Sequence, residues 1–192
     1  DAFSVRDGKL YELLVTLKTD TANTRNGLPI KLEKTKLSFS EKEIQGAYYH
    51  EPLLDALLEM YKKSLKETSF LFPIGVIRSL NHLRKLSRDQ FFLIASDKAH
   101  TKLESLESLN SPALTLHGGC FSMMANLHAL GEYFKSVSGD FHTQPLRQGL
   151  KTCLLTAGIK IDELPETRLS IQQELDHFSP TDYFNLYRHL IK

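Results

Sequence analysis

Two cysteines in 192 residues, Cys120 and Cys153, are too few and too far apart for the disulfide framework of a small secreted domain. Both are therefore expected to be reduced thiols in a cytoplasmic setting. Charge of one sign is equally scarce. The 24 basic and 23 acidic residues leave a net charge of +1, which argues against a dedicated nucleic-acid binder with a basic excess on one face. No apolar run approaches the roughly 18–20 residues that cross a bilayer, and no charged-then-apolar leader opens these residues. Neither nucleic acid nor membrane is thus an expected partner. The common chemical signatures are missing as well. There is no CxxC pair, no Walker sequence and no GxGxxG. Gly119-Cys120-Phe121-Ser122-Met123 misses the GxSxG nucleophile elbow. His100, His117, Cys120 and His128 match no zinc spacing, so no metal is expected. No complete catalytic constellation can be named.

What is present is an ordinary globular composition, 41% hydrophobic and 24% charged, in a chain long enough to bury one core without staples. Ala2 to Val5 and Leu10 to Leu17 are apolar, β-prone runs joined through Asp7-Gly8, the strongest short hairpin signal. The strand pattern begins at once after Asp1. That fits either a domain whose earlier part lies upstream or one that has lost a disordered tail. Residues 19–35 are polar, with Asn26-Gly27 and Pro29 as breakers, and read as a surface loop. Pro52 suits the first turn of a helix, and Leu53, Leu54, Leu57, Leu58, Tyr61 and Leu65 form one apolar face. Pro73 opens a second helical stripe of Ile74, Ile77, Leu80, Leu83 and Leu86.

The period then changes. Phe91-Phe92-Leu93-Ile94-Ala95 is a continuous apolar run, expected as a strand covered on both faces in a parallel sheet. Residues 113–117 form a second such run, expected beside the first. Gly118-Gly119 would then turn the chain sharply into a helix capped by Ser122, running through Met123, Met124, Leu127, Leu130, Tyr133 and Phe134. Ser138-Gly139-Asp140 reads as a turn, and 149–158 as strand or helix. The tail reads as helices over about 163–177 and 180–191, the second with Ser179 as cap, Pro180 at its first position and Asp182 in its first turn. Strands interleaved with helices point to an α/β sheet.

In such sheets ligands gather beyond the carboxyl ends of strands. Asp97, at the exit of the 91–95 run, is a candidate cleft residue on that ground. His117, Gly118, Gly119 and Ser122 are candidates because a glycine turn at a helix start lets backbone and side chains approach a ligand. Asn126 lies four residues after Ser122 and would share its helix face. Each also has a plain structural reading, as a strand exit, a tight turn or a cap. The catalytic residues stay unknown.

Several segments together resemble the later half of the MidA-like, class I S-adenosylmethionine-dependent methyltransferases, whose mitochondrial relatives assist respiratory complex I assembly. They are Asp1-Ala2-Phe3-Ser4-Val5 with Gly8-Lys9-Leu10-Tyr11-Glu12, Phe92 to Lys98, His117 to Ser122, Gly139-Asp140-Phe141, and Leu154 to Ile159. The resemblance implies a partial Rossmann-like methyltransferase sheet over residues 1–160, a helical insertion at about 41–87, and a C-terminal helical segment over 161–192. It implies S-adenosylmethionine as cofactor of a full-length parent and a protein, by the nearest relatives an arginine, as methyl acceptor. It gives Asp97 and His117 a place in the substrate cleft. The family's glycine-rich loop and ribose-binding acid are absent, and Asp97-Lys98-Ala99 stands where the family tends to show Asp-Tyr-Gly. This fragment alone is therefore not expected to bind the cofactor. The alternative is a non-catalytic protein-interaction module on a degenerate fold of the same kind, using its helical insertion or its apolar C-terminal helices. The sequence does not fix the oligomeric state.

Overall fold

Asp7 and Gly8 both take positive φ, 48° and 70°, the backbone that a two-residue hairpin turn requires. They join β1 (Ala2–Arg6) to β2 (Lys9–Lys18), as expected. The computed structural model describes residues 1–18, 36–111, 114–117, 120–145, 150–178 and 180–191, and the expected loop at 19–35 lies outside them. The described residues form a mixed α/β protein of five α-helices with mainly antiparallel pairing, divided into two compact units.

The first unit holds Asp1–Phe72 and Leu103–Met124. Its sheet, in the order β3-β2-β1-β4, adds β3 (Lys36–Glu43) and β4 (Thr68–Leu71) to the hairpin, all antiparallel. Directly opposed residues of such a ladder share a face, so Phe3, Val5, Leu10, Thr68 and Phe70 point one way. Helix α1 (Pro52–Ser64) buries Leu54, Leu57, Leu58 and Tyr61, and the Tyr61 ring lies 4.8 Å from that of Phe70. The Phe3 ring sits among those of Tyr48, Tyr49, Phe70 and Phe72, at 5.2 to 6.3 Å. Asp55 fixes the approach to α1, accepting bonds from the backbone N–H of Tyr48, Tyr49 and Glu51. Tyr48 donates its hydroxyl to Glu12, and burial together with that carboxylate pushes its phenol up to about 12. A 3-10 turn over Leu103–Leu106 is tied to β4, where the Thr68 hydroxyl donates to the Leu106 carbonyl.

Residues 114–117 are a strand, β7 (Leu114–His117), but not the neighbour of 91–95. Among the described residues β7 pairs antiparallel with β8 (Cys120–Met123) alone. The expected helix from Ser122 through Met123 and Met124 is therefore absent, since the chain doubles back as a strand.

The second unit holds Pro73–Lys102 and Ala125–Lys192. Helix α2 (Ile74–Leu86) follows Pro73 and buries Ile77 and Leu80, while Leu83 and Leu86 of the same stripe stay exposed. The sheet runs β10-β11-β5, from β10 (Asp140–Thr143), β11 (Lys151–Ala157) and β5 (Phe91–Asp97). β11 is antiparallel to both neighbours, so β5 and β10 run parallel to each other. Phe91, Leu93, Cys153, Leu155 and Phe141 face α3 (Leu127–Ser136), where the Phe91 and Phe134 rings lie 5.5 Å apart. Gly131 makes room on that helix: a Cβ there would sit 2.3 Å from the Phe141 ring.

The opposite face carries Leu154, packed with Ile161 and Ile171 and flanked by Leu175. These come from α4 (Pro165–Ser170) and its surroundings, a 3-10 turn over Ile161–Glu163 and a π-helical turn over Ile171–Asp176. His142 and Asp176 meet at 2.8 Å, and the Gln144 amide bridges Thr152 to Leu175. β5 lies beyond this cover. Its expected burial on both faces does not hold: Phe92 is 42% and Ile94 60% exposed. The tail ends in α5 (Pro180–Leu190), and Ser179, its expected cap, lies outside the described residues.

Candidate functional site

Among the described residues, Asp97 lies where the chain leaves β5, and Asn126 where it enters α3. Asp97 closes β5 opposite Lys151 of β11. Its carboxylate accepts from the Lys98 N–H at 2.7 Å, which turns the chain away from the sheet. Partial burial holds the Lys151 ammonium below the usual lysine range. The chain then enters β6 (Ala99–His100), which pairs in parallel with β9 (Ala125–Asn126), setting His100 beside Asn126 in register. The Ala125 N–H donates to the Lys98 carbonyl at 3.0 Å and ties the two crossings together.

Asn126 is almost fully buried, and its side-chain oxygen accepts from the Ala129 N–H at 3.0 Å. It is the cap of α3, the role given to Ser122 in the sequence. An asparagine cap satisfies one of the amide groups that a helix start leaves unpaired. Strand pairing thus sets Asp97 opposite Lys151 at a strand exit, and His100 opposite Asn126 at a helix entry.

The other candidates lie elsewhere. Ser122 is exposed on β8, opposite Thr115, in the first unit. It caps no helix and shares none with Asn126. The His117 backbone closes β7 opposite Cys120. Gly118 and Gly119 fall outside the described residues.

His100 and Lys151 were not singled out for the cleft from sequence. The rule that ligands gather beyond strand ends, applied three residues past Asp97, would have reached His100. Lys151 needed the register, because only pairing sets it opposite Asp97.

The entries to α2 and α3 run through Phe72-Pro73 and Ala125-Asn126, neither of them a glycine-rich turn. Among the described residues no three His, Cys, Asp or Glu side chains gather in a way that would hold a metal ion, and no helix is long and apolar enough to cross a membrane. Comparison with known proteins returns no matching family model, no matching curated protein and no matching solved structure.

Proposed function

We propose that this chain is the substrate-side portion of an S-adenosylmethionine-dependent methyltransferase-fold protein, with a protein as methyl acceptor. The observation that carries the reading is the strand order β10-β11-β5. The last sheet strand among the described residues is reversed between two strands that run parallel, which supports the expectation that this part of the chain completes a partial Rossmann-like sheet. Asp97 ends β5 on the side where open α/β sheets collect their ligands, and the helix entry at Asn126 follows the short pairing of β6 with β9. The side-by-side placement of 91–95 and 113–117 gives no support, because β7 belongs to another sheet. The chain's own residues supply the acceptor side of the cleft. The cofactor's phosphate- and ribose-recognising elements are not among them, so no step of methyl transfer is assigned to any residue. Calorimetric titration of the natural full-length polypeptide with S-adenosylmethionine tests the reading. Saturable heat near one site per chain supports it, and no heat with a folded protein overturns it.

A second reading, a non-catalytic interaction module, is favoured by α5. Tyr183, Phe184, Leu186, Tyr187 and Leu190 are all exposed there, with Tyr183 and Tyr187 stacked 6.1 Å apart. Apolar surface gathered in this way marks interaction sites. If α5 carries the function, Tyr187→Glu abolishes partner capture while the fold and any cofactor binding stay intact.

A further inference from the structure

Ile77 and Leu80 anchor α2 by burial, whereas the last turn of the helix has no buried residue. A helix end without a buried anchor is the part that opens most readily. Ser87 ends this turn, with Arg84 and Lys85 before it and Arg88 after it. Its side chain is partly exposed, and its hydroxyl donates to the Arg84 carbonyl at 3.1 Å.

The chain leaves the helix under strain. Arg88 and Asp89 stand side by side in left-handed backbone, at φ 55° and 63°, where side chains beyond glycine are disfavoured. The charges are also badly matched. Arg84 Nε lies 3.1 Å from an Asp89 carboxylate oxygen, yet this buried N–H meets no acceptor in hydrogen-bonding geometry among the described residues. Such a donor costs free energy until an acceptor reaches it. Lys85 and Arg88 are exposed and form no ion pair among the described residues. Three cations thus flank one hydroxyl, with a single nearby carboxylate to answer them.

We propose that Ser87 is a phosphorylation site and that its phosphate draws Arg84 away from Asp89. Arginine three positions before the serine and lysine two before it form the kind of charge pattern by which kinases choose substrates. The unanchored turn and the strained pair behind it let residues 84–88 extend into a kinase cleft. The γ-phosphoryl group of a nucleoside triphosphate passes to Ser87 Oγ. The bond from phosphorus to the bridging oxygen breaks, and the diphosphate leaves with its electron pair. The bond from phosphorus to Oγ forms, and the hydroxyl proton passes to the kinase's base. A phosphoserine carries about 1.5–2 negative charges and three acceptor oxygens, and so outcompetes one carboxylate for Arg84. At a helix C-terminus that charge also opposes the macrodipole, so the last turn stays open once modified. The proposal does not rest on methyl transfer, and the cofactor titration can fail while Ser87 is modified.

The test incubates the natural full-length polypeptide with ATP and the catalytic subunit of an arginine-directed serine kinase, read by fragment mass spectrometry. One phosphate on Ser87 is expected, and Ser87→Ala removes it. Arg84→Ala lowers kcat/KM for this phosphate about tenfold or more, whereas Asp89→Asn does not lower it. Each variant is first shown to keep the native circular dichroism spectrum. In the modified protein the Ser87 and Asp89 amides, bonded to the Leu83 and Arg84 carbonyls, exchange hydrogen about tenfold faster or more. The Leu155 amide of β11 keeps its rate. No phosphate on Ser87, equal efficiency in Arg84→Ala, or unchanged exchange at Ser87 and Asp89 overturns the proposal.

Discussion

Among the described residues strands β3 and β5 each border a sheet, and they are built on different plans. β3 reads Lys-Leu-Ser-Phe-Ser-Glu-Lys-Glu, with charged or hydroxyl side chains at six of its eight positions. Lys9 of β2 pairs with Glu43 of β3 at 3.2 Å, and the Ser4 hydroxyl of β1 donates to Glu41 of β3 at 2.7 Å. A strand of this composition discourages a further strand, because charge has to be desolvated first. β5 offers an incoming strand no such obstacle. The contrast separates a border that ends a sheet from one that invites continuation. Among the described residues the first unit's sheet ends at β3 and the second unit's sheet ends at β5.

Breaking either core shows how much each sheet stands on its own packing. Phe3→Ala removes the ring at the centre of the first unit's aromatic cluster and is expected to cost about 3–5 kcal/mol in urea unfolding. Leu155→Ala, at a fully buried position of β11, costs about 2–5 kcal/mol by the same measurement.

A chemical probe then sharpens the contrast. Burial pushes the Cys153 thiol up to about 11 from its ordinary 9.0. The folded value is the raised one, so the associated stability is complete below pH 9 and is lost as pH rises from 9 to 11. The loss amounts to about 2–3 kcal/mol and is absent in Cys153→Ala, as equilibrium unfolding at several pH values would reveal. In the native protein at neutral pH a maleimide labels the exposed Cys120 and spares Cys153, and unfolding releases the second thiol.

Smaller effects follow at the turns. Gly139→Ala sets a Cβ 2.1 Å from the Thr156 carbonyl oxygen, a backbone atom that cannot swing away, for a cost of about 1–3 kcal/mol. Asn126→Ala removes the α3 cap and costs about 1 kcal/mol. Both lower the melting temperature, and neither alters the border of β5.

The sequence was most legible where local chemistry decides the outcome. Asp7-Gly8 permits only a tight reversal between β-prone runs, and the hairpin is there. Pro52 and the leucines after it fix α1 and its buried face. Where pairing decides, local pattern was silent. The 91–95 run is a strand, but an unbroken apolar run does not say whether its neighbours are parallel, antiparallel or missing. Ser122 and Asn126 are both good caps, and only the alternation of Cys120-Phe121-Ser122-Met123 hinted that the chain was still extended at Ser122. The candidate site was half legible. Asp97 at a strand exit and Asn126 near a helix start could be proposed from the sequence, whereas Lys151 became the partner of Asp97 only through a register set across more than fifty residues.

Amide hydrogen exchange along β5 and β11 tests the strand order most directly. Slow exchange along β11, paired on both sides, is expected, together with an alternation in β5 between slow amides bonded to β11 and fast ones facing outward. Uniformly slow amides along β5, or fast exchange throughout β11, would contradict a sheet that holds a reversed strand at its centre and leaves β5 open.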